Sequence, residues 1–242
     1  MIQAPGFYNM DCMDALKQFP DKFFSLAIVD PPYGINAPKM HMGSNKSRKG
    51  DGYPGVSAAE RLRKGRLNQG AGKLKGRALQ RMDCSWDSQP PSKEYFQELF
   101  RVSQNQIIWG GNYFELPPTR GIVAWDKVQP WENFSQFELA WTSFDVPAAL
   151  FRYSNTGGAN AEEKIHPTQK PIPLYTWTLS KFAKSGHKIL DTHVGSASSL
   201  IACHLFGYQY WGYEKDEQIF MKASERLEKV KAQVNMFELI SS

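Results

Sequence analysis

The sequence predicts an α/β protein with a doubly wound, mostly parallel, Rossmann-like sheet. Three observations predict this class: short apolar runs that end in an acid, segments of helical periodicity between them, and a glycine-containing turn directly after one run. With 242 residues and 41% hydrophobic residues, the chain is long enough to bury one core. We therefore predict a single domain over residues 1–242.

The first strand is predicted from the apolar run "FSLAIVD" (24–30), which has the composition of a buried parallel strand. Its carboxyl end delivers Asp30 to the edge where open α/β sheets bind ligands. The stretch that follows, "PPYGI" (31–35), adds two prolines, an aromatic ring and a glycine. The residues alone leave two interpretations open, a simple turn or a substrate site.

The segment 36–90 changes composition to Gly, Ser, Lys and Arg, with few apolar residues. Between Lys39 and Arg81 there are twelve basic residues and two acids, a local net charge of +10 in a chain whose formal charge is +5. Charge concentrated in this way attracts polyanions. We predict a basic, flexible insertion here; the alternative is a solvated loop without a partner.

The middle of the chain is predicted to contain one helix and three strands. The helix is "SKEYFQELFRVS" (92–103), with Ser92 as a plausible N-cap. The strands are predicted at "NQIIWGG" (105–111), "GIVAWD" (121–126) and "FELAWTSF" (137–144).

The C-terminal third is predicted to alternate helix and strand, which favours parallel strands with crossover helices. The elements are a helix over 172–182, a strand "HKILD" (187–191), a helix "SASSLIACHLF" (196–206), a strand "YQYWGYE" (208–214) and a last helix over 216–234. Asp191 and Glu214 thus end two strands, and Gly195-Ser196 opens a helix. Nucleotide-binding α/β folds place acids and a glycine turn in this way, although an acid after a strand can also be a simple helix cap.

Several classes of site and location are disfavoured by composition. The three cysteines, Cys12, Cys84 and Cys203, form no CxxC pair, and the five histidines show no metal-ligand spacing, so we predict no metal. No run of about 18 apolar residues is present, and the N-terminus lacks the pattern of a secretion signal. We predict a cytoplasmic protein.

Three motifs together resemble one family, the DNA amino-methyltransferases of the β order, in which the catalytic DPPY segment precedes the cofactor-binding strand. They are "DPPYG" (30–34), "HPTQKP" (166–171) and "ILDTHVGS" with "WGYE" (189–196 and 211–214), and they occur in the family's order. The resemblance covers residues 8–35 and about 164–230 well, and 36–90 hardly at all.

The resemblance implies S-adenosylmethionine as the methyl donor and assigns the site residues. Asp30, Pro31, Pro32 and Tyr33 would be catalytic, with Asp30 and the Pro31 carbonyl accepting N–H bonds from the target amino group and Tyr33 stacking on a flipped base. The residues assigned to the cofactor are Asp191, Gly195, Ser196, Glu214, Thr168, Lys170 and His166. Among these, Glu214 would accept the ribose hydroxyls and Lys170 would pair with the carboxylate of the methionine end.

The resemblance further implies DNA as the partner and adenine N6 as the acceptor, because aspartate at the head of the motif is typical of adenine-specific members. The predicted phosphate contacts are Lys46, Arg48, Lys49, Arg61, Arg63, Lys64, Arg66, Lys73, Lys75 and Arg77. A homodimer is possible, and a nuclease partner is left open. The alternatives are methylation of cytosine N4 or of an RNA base, and a DNA-binding protein that has lost activity.

One departure from the family motivates that last alternative. The cofactor loop of the family usually reads DPFxGSGTT, whereas Thr192 and His193 stand here for the Pro-Phe pair and Ala197 for the second glycine. Because alanine favours a less unusual backbone than glycine, we expect the turn to differ at Ala197. We still expect the cofactor to bind.

Overall fold

The computed structural model describes residues 2–35, 87, 89–128, 135–154, 164–166 and 168–241. The ten predicted phosphate contacts between Lys46 and Arg77 lie outside these ranges, as does nearly all of the predicted insertion 36–90. The predictions of a basic insertion and of DNA contact by its side chains therefore stay predictions.

The described residues form eight strands and five α-helices. The strands are β1 (Gly6–Asn9), β2 (Phe24–Val29), β3 (Ser103–Trp109), β4 (Ile122–Asp126), β5 (Phe137–Thr142), β6 (Ala149–Arg152), β7 (Lys188–Asp191) and β8 (Gln209–Glu214). The helices are α1 (Cys12–Leu16), α2 (Lys93–Val102), α3 (Ile172–Phe182), α4 (Ser198–Leu205) and α5 (Glu217–Ser241), with a 3-10 turn at Gly111–Tyr113.

These strands make one sheet in the order β1-β8-β7-β2-β3-β5-β4-β6. The pairs β3–β5 and β4–β5 are antiparallel and the other pairs are parallel, so among the described strands β5 alone runs against the rest. The predicted fold class, a doubly wound and mostly parallel sheet, is confirmed.

Every strand and helix predicted from the sequence in the described ranges is present, with ends that agree within two residues except in α5, which continues to Ser241 instead of ending at residue 234. Three short elements were not predicted: β1, α1 and β6. With four or five residues each, they are too short to show a hydrophobic period, and only the tertiary context selects them. The helix α1 is capped by Asp11, whose carboxylate accepts a hydrogen bond from the Met13 N–H at 2.9 Å.

The core lies on both faces of the sheet, as β2 shows. Ala27 and Val29 pack on one face, in a cluster that includes Leu16 of α1 and Leu99 of α2. Leu26 and Ile28 pack on the other face with residues of α3 and α4. Because successive side chains of a strand point to opposite faces, a run buried at every position needs helices on both sides.

The topology brings the candidate functional residues to one edge. β8, β7 and β2 are adjacent and parallel, so their carboxyl ends carry Glu214, Asp191 and Asp30 to the same side of the sheet. The antiparallel strand β5 begins at that side, which adds Glu138, its second residue. Among the helices of the described residues, none is long and apolar enough to cross a membrane.

Candidate active site

Asp30 lies at the centre of a group of polar side chains just beyond β2. Its Oδ1 accepts a hydrogen bond from the Tyr33 hydroxyl at 2.6 Å, and its Oδ2 accepts one from Lys170 Nζ at 2.5 Å. Pro31 is buried and Pro32 partly buried. Since an ionised carboxylate offers about four acceptor positions, Asp30 keeps lone pairs for a further N–H donor.

Lys170 is buried between two carboxylates. Its Nζ also lies 3.0 Å from Glu138 Oε2, and the other oxygen of Glu138 forms an ion pair with Lys127. Burial alone would lower the pKa of Lys170, but the charges of Asp30 and Glu138 outweigh it and raise the pKa above its usual value. Burial would likewise raise the pKa of Glu138, and the charges of Lys170 and Lys127 instead lower it to about 2.

Lys170 is placed among protein carboxylates. The sequence predicts a contact with the methionine end of the cofactor, and that contact stays a prediction. The ion pairs of Lys170 among the described residues are with Asp30 and Glu138, which compensate the charge of the buried ammonium. The geometry therefore supports a further role of Lys170 toward Asp30.

The Tyr33 ring is held from several sides. It stacks on Tyr113 with ring centroids 4.9 Å apart and an interplanar angle of 14°. Gly110, in the left-handed conformation at φ 71°, lies against the same ring, and a Cβ there would come within 2.2–2.6 Å of three ring atoms. Burial, followed by the charge of Asp30, raises the pKa of Tyr33 well above its ordinary value, so its hydroxyl remains a donor to Asp30.

Asp87 fixes the backbone of the loop that follows β2. Its Oδ1 accepts hydrogen bonds from the Tyr33 N–H at 2.7 Å and the Gly34 N–H at 2.9 Å, and the residue is buried. A buried carboxylate that accepts two backbone N–H groups holds the turn in one conformation. No sequence pattern marks Asp87, because it stands in a polar segment without periodicity.

A second group of acids lies at the ends of β7 and β8. Glu214 accepts a hydrogen bond from the Gly195 N–H at 2.9 Å through Oε2 and one from the Asp216 N–H at 3.0 Å through Oε1. Asp191 accepts hydrogen bonds from the Ser199 hydroxyl and, at 3.0 Å, from the His193 N–H. Gly195 has φ 55°, and a Cβ there would meet nothing within 4 Å, so open space faces this turn.

The two groups are electrostatically coupled. Burial raises the pKa of Asp191 to about 7; the hydrogen bonds from Ser199 and His193 oppose the shift, and the charge of Asp30 adds to it. β7 and β2 are neighbours in the sheet. Asp191, which is predicted to bind the cofactor, and Asp30, which is predicted to be catalytic, therefore lie at the same edge.

The turn before α4 holds Ala197 in a conformation that glycine favours. Ala197 adopts the left-handed conformation, with φ 63° and ψ 16°, in place of the glycine that the family usually has. Its side chain is fully buried in a cluster with Val194, Leu200 and Ile201. Burial of the methyl group contributes about 0.8 kcal/mol, which offsets part of the cost of about 1–2 kcal/mol for a left-handed alanine.

We expect Ala197→Gly to change the free energy of unfolding by less than about 1 kcal/mol, because relief of the left-handed strain balances the lost methyl burial and the added entropy of the unfolded chain. Ala202, equally buried but inside α4, is the matched control. Ala202→Gly should lose about 2 kcal/mol, from helix propensity and burial together. Urea denaturation measures both variants, and equal losses would contradict the strain at Ala197.

Thr192 and His193 form a polar chain in place of the usual Pro-Phe pair. The Tyr95 hydroxyl lies 2.6 Å from Thr192 Oγ1, which lies 2.9 Å from His193 Nδ1. The Tyr95 ring also contacts the His193 ring edge-on, at 5.3 Å between centroids. Burial lowers the pKa of His193 to about 4, so the imidazole is neutral at pH 7.

This histidine predicts a pH-dependent stability. A histidine whose folded pKa is lowered contributes stability above pH 6.5 that is lost as the pH falls toward 4, because the unfolded chain then binds the proton. We expect His193→Phe to reduce the loss of unfolding free energy between pH 7.5 and pH 5 by about 2 kcal/mol. Denaturant titrations at both pH values test this, and an unchanged difference would contradict it. His166, whose pKa burial and then Lys170 lower to about 4, keeps its own contribution in both proteins.

The remaining predicted cofactor residues lie at the margins of these groups. Thr168 is exposed, and its hydroxyl lies 3.1 Å from His166 Nδ1. Ser196 is buried, and its hydroxyl lies 3.1 Å from Ser198 Oγ. The structure therefore brings Asp191, Gly195 and Glu214 together, whereas the hydroxyls of Thr168 and Ser196 lie beside near neighbours in sequence.

Two functional candidates besides Asp87 were missed, Glu138 and Tyr113. Glu138 carried a signal, an acid between Phe137 and Leu139 inside an apolar strand. Such an acid needs a buried cation, and only the fold shows that Lys170 supplies it. Tyr113 carried no signal beyond its aromatic character.

The chain is similar to DNA methyltransferases. A family model described as DNA methylase, covering N6 and N4 methylases, matches residues 124–225. The type II methyltransferase M.HinfI of Haemophilus influenzae is 22% identical over an alignment of 291 residues, gaps included, which covers 96% of this chain and 70% of that protein. The type II methyltransferase M.HpaI of Haemophilus parainfluenzae is 29% identical over 82 residues, 34% of this chain and 26% of that protein.

Solved structures share the fold. The cytosine-N4-specific PvuII DNA methyltransferase matches with a TM-score of 0.55 and 12% identity, over 97% of this chain and 93% of that one. The M1.HpyAVI–SAM complex matches with a TM-score of 0.51 and 15% identity, over 94% and 99%. The resemblance to DNA amino-methyltransferases that the motifs predict is confirmed.

Proposed function

Proceeding from this family resemblance, we propose that the chain transfers a methyl group from S-adenosylmethionine to the N6 amino group of an adenine in DNA. The observation that carries the proposal is the position of Asp30 beside the acids of β7 and β8. A carboxylate with acceptor positions left thus lies at the same sheet edge as the Gly195 turn, which faces open space. The family model covers both N6 and N4 acceptors, so adenine is our choice, supported by the aspartate that heads the motif.

The residues around Gly195 fit the proposed cofactor. Open space faces the Gly195 turn, and Glu214 keeps acceptor positions beside the two backbone N–H groups that it already binds. Glu214 would accept the ribose hydroxyls, and Asp191 with the Gly195 turn would lie along the methionine and ribose portion. When bound, S-adenosylmethionine supplies an electrophilic sulfonium methyl group.

Asp30 would act on the acceptor. An exocyclic amino group is a poor nucleophile because its lone pair is delocalised into the base ring. When Asp30 accepts one N–H bond and the Pro31 carbonyl accepts the other, the lone pair is localised on nitrogen and directed at the methyl group. Asp30 would also be placed to receive the proton that the amino nitrogen loses on methylation.

Tyr33 would hold the base after it has left the duplex. Stacking on an aromatic side chain is worth about 1–3 kcal/mol, which offsets part of the few kcal/mol that base flipping costs. The base competes with Tyr113 for the Tyr33 ring, since the two tyrosines stack on each other in the structure. The basic residues between Lys39 and Arg81 would bind the phosphates near the flipped base, which makes DNA binding strongly salt dependent.

Nucleoside mass spectrometry tests the proposal directly. Unmethylated DNA is incubated with the protein and S-adenosylmethionine, digested and analysed, and we expect N6-methyladenine to increase. An increase in N4-methylcytosine alone would show the second candidate, which the fold shared with the PvuII enzyme supports. If neither modified base forms while DNA binds, the chain is a DNA-binding protein without transferase activity.

A further inference from the structure

Glu138 is the strongest unassigned feature near the proposed reaction centre. It is the second residue of the antiparallel strand β5, which begins at the edge of the sheet where β2 and β3 end. One oxygen pairs with Lys127, and the other, shielded from solvent, lies 3.0 Å from Lys170 Nζ. Asp30 is thus linked to Glu138 through one shared ammonium group.

We infer that Glu138 is a positioning residue that divides the charge of Lys170 and so keeps Asp30 effective as an acceptor. The inference rests on the proposed function for its consequence in catalysis. The reason is electrostatic. A lysine that pairs with a single carboxylate attracts it more strongly, so that the carboxylate is a weaker acceptor for any other donor. With two carboxylates and two ammonium groups, the set Asp30, Glu138, Lys170 and Lys127 is neutral, and Lys170 is held by both acids.

The chain offers two substitutions with opposite expected effects. Glu138→Gln removes a negative charge, leaves Lys170 with Asp30 alone and frees Lys127, so Asp30 becomes harder to protonate and a weaker acceptor. Lys127→Met removes a positive charge and lets Lys170 move toward Glu138, so Asp30 becomes easier to protonate. A loss of folding alone cannot move the two variants in opposite directions.

Other groups also act on this carboxylate and are the same in all variants. The charged or titratable residues that face Asp30 or its partners from the surrounding elements are Tyr33, Tyr95, Lys164, His166, Tyr175 and Asp191.

The experiment follows the Asp30 carboxylate by two measurements, NMR titration and the pH profile of kcat. In protein labelled with carboxyl-¹³C aspartate, the Asp30 signal is identified by its absence in Asp30→Ala, and its titration midpoint is measured in wild type, Glu138→Gln and Lys127→Met. We expect the midpoint to fall by about one pH unit in Glu138→Gln and to rise in Lys127→Met. The acid limb of the kcat profile should move in the same directions, with kcat at neutral pH roughly tenfold lower in Glu138→Gln and KM for the cofactor unchanged.

Failure of this inference is distinguishable from failure of the proposed function. If both midpoints stay at the wild-type value while thermal stability falls, Glu138 has a structural role only and the inference is overturned. If the midpoints move as expected and wild type methylates no DNA base, the linkage of Glu138 to Asp30 stands and the proposed reaction is wrong. Asp145→Asn, which removes an exposed acid paired with Arg120, is the control and should change neither readout.

Discussion

Asp30→Ala is expected to lower the rate of methyl transfer by about 10²–10⁴-fold and to leave the affinity for S-adenosylmethionine within a few-fold of wild type. The side chain removed is the one that we propose accepts the amino proton, and its hydrogen bonds are with Tyr33 and Lys170, not with Gly195 or Glu214. The rate is measured with saturating cofactor and DNA, and the affinity by calorimetry. Comparable losses of both would contradict the role assigned to Asp30.

The fold is expected to tolerate this change because Lys170 has a second carboxylate. With Asp30 gone, the buried ammonium still pairs with Glu138 at 3.0 Å. Glu138 then compensates Lys170 and Lys127 together and the group carries one net positive charge, so we expect some loss of stability but not an unpaired lysine. Asp30→Asn is the graded control: it keeps one acceptor oxygen and replaces the other by a donor, so its rate should lie between those of wild type and Asp30→Ala. Thermal denaturation of both variants separates the chemical effect from loss of structure.

Whether the sequence predicts a strand or helix depends on how many residues its hydrophobic pattern covers. β2 was predicted because both of its faces are apolar, and α3 because a proline and an apolar period mark its start. β6, with four residues and Leu150 exposed, carries no such pattern and exists through its pairing with β4. Periodicity reports burial within one element, whereas pairing partners are set by the whole fold.

The same limit applies to the site. Asp30, Asp191 and Glu214 each follow an apolar run, so the sequence places them at strand ends and a parallel sheet brings them together. The link between Asp30 and Glu138 spans more than 100 positions, depends on the antiparallel insertion of β5 and passes through Lys170. The sequence predicts that Lys170 belongs to the site, and the fold determines which carboxylates it pairs with.

Ala197 shows a local preference that tertiary structure overrides. Alanine disfavours φ 63°, yet the turn between β7 and α4 holds it there and buries its methyl group. A preference of this kind is a property of the isolated residue, whereas the buried cluster around the turn is set by the fold. The assay of methylated nucleosides decides between a transferase and a DNA-binding protein without activity.

Lys170→Met is expected to have the largest effect on stability, a loss of about 3–5 kcal/mol in the free energy of unfolding at pH 7. The side chain is 3% exposed and compensates Asp30 and Glu138 together. Removing it leaves two carboxylates in the interior with Lys127 as the nearest cation, paired with Glu138 alone. Arg120→Met, which breaks an exposed pair with Asp145, should cost less than about 1 kcal/mol.

The pH dependence identifies the cause of that loss. Glu138 has a folded pKa lowered to about 2, so its ion pairs contribute stability above the unfolded value near 4.5, and this contribution is lost as the pH falls toward 2. Lys170, whose pKa is raised, is charged throughout this range and pairs with Glu138 wherever Glu138 is ionised. The difference between wild type and Lys170→Met should therefore be largest near neutral pH and shrink below pH 4. Denaturant titrations from pH 3 to pH 8 measure it, and a pH-independent difference would show that Lys170 stabilises the fold by packing rather than by charge.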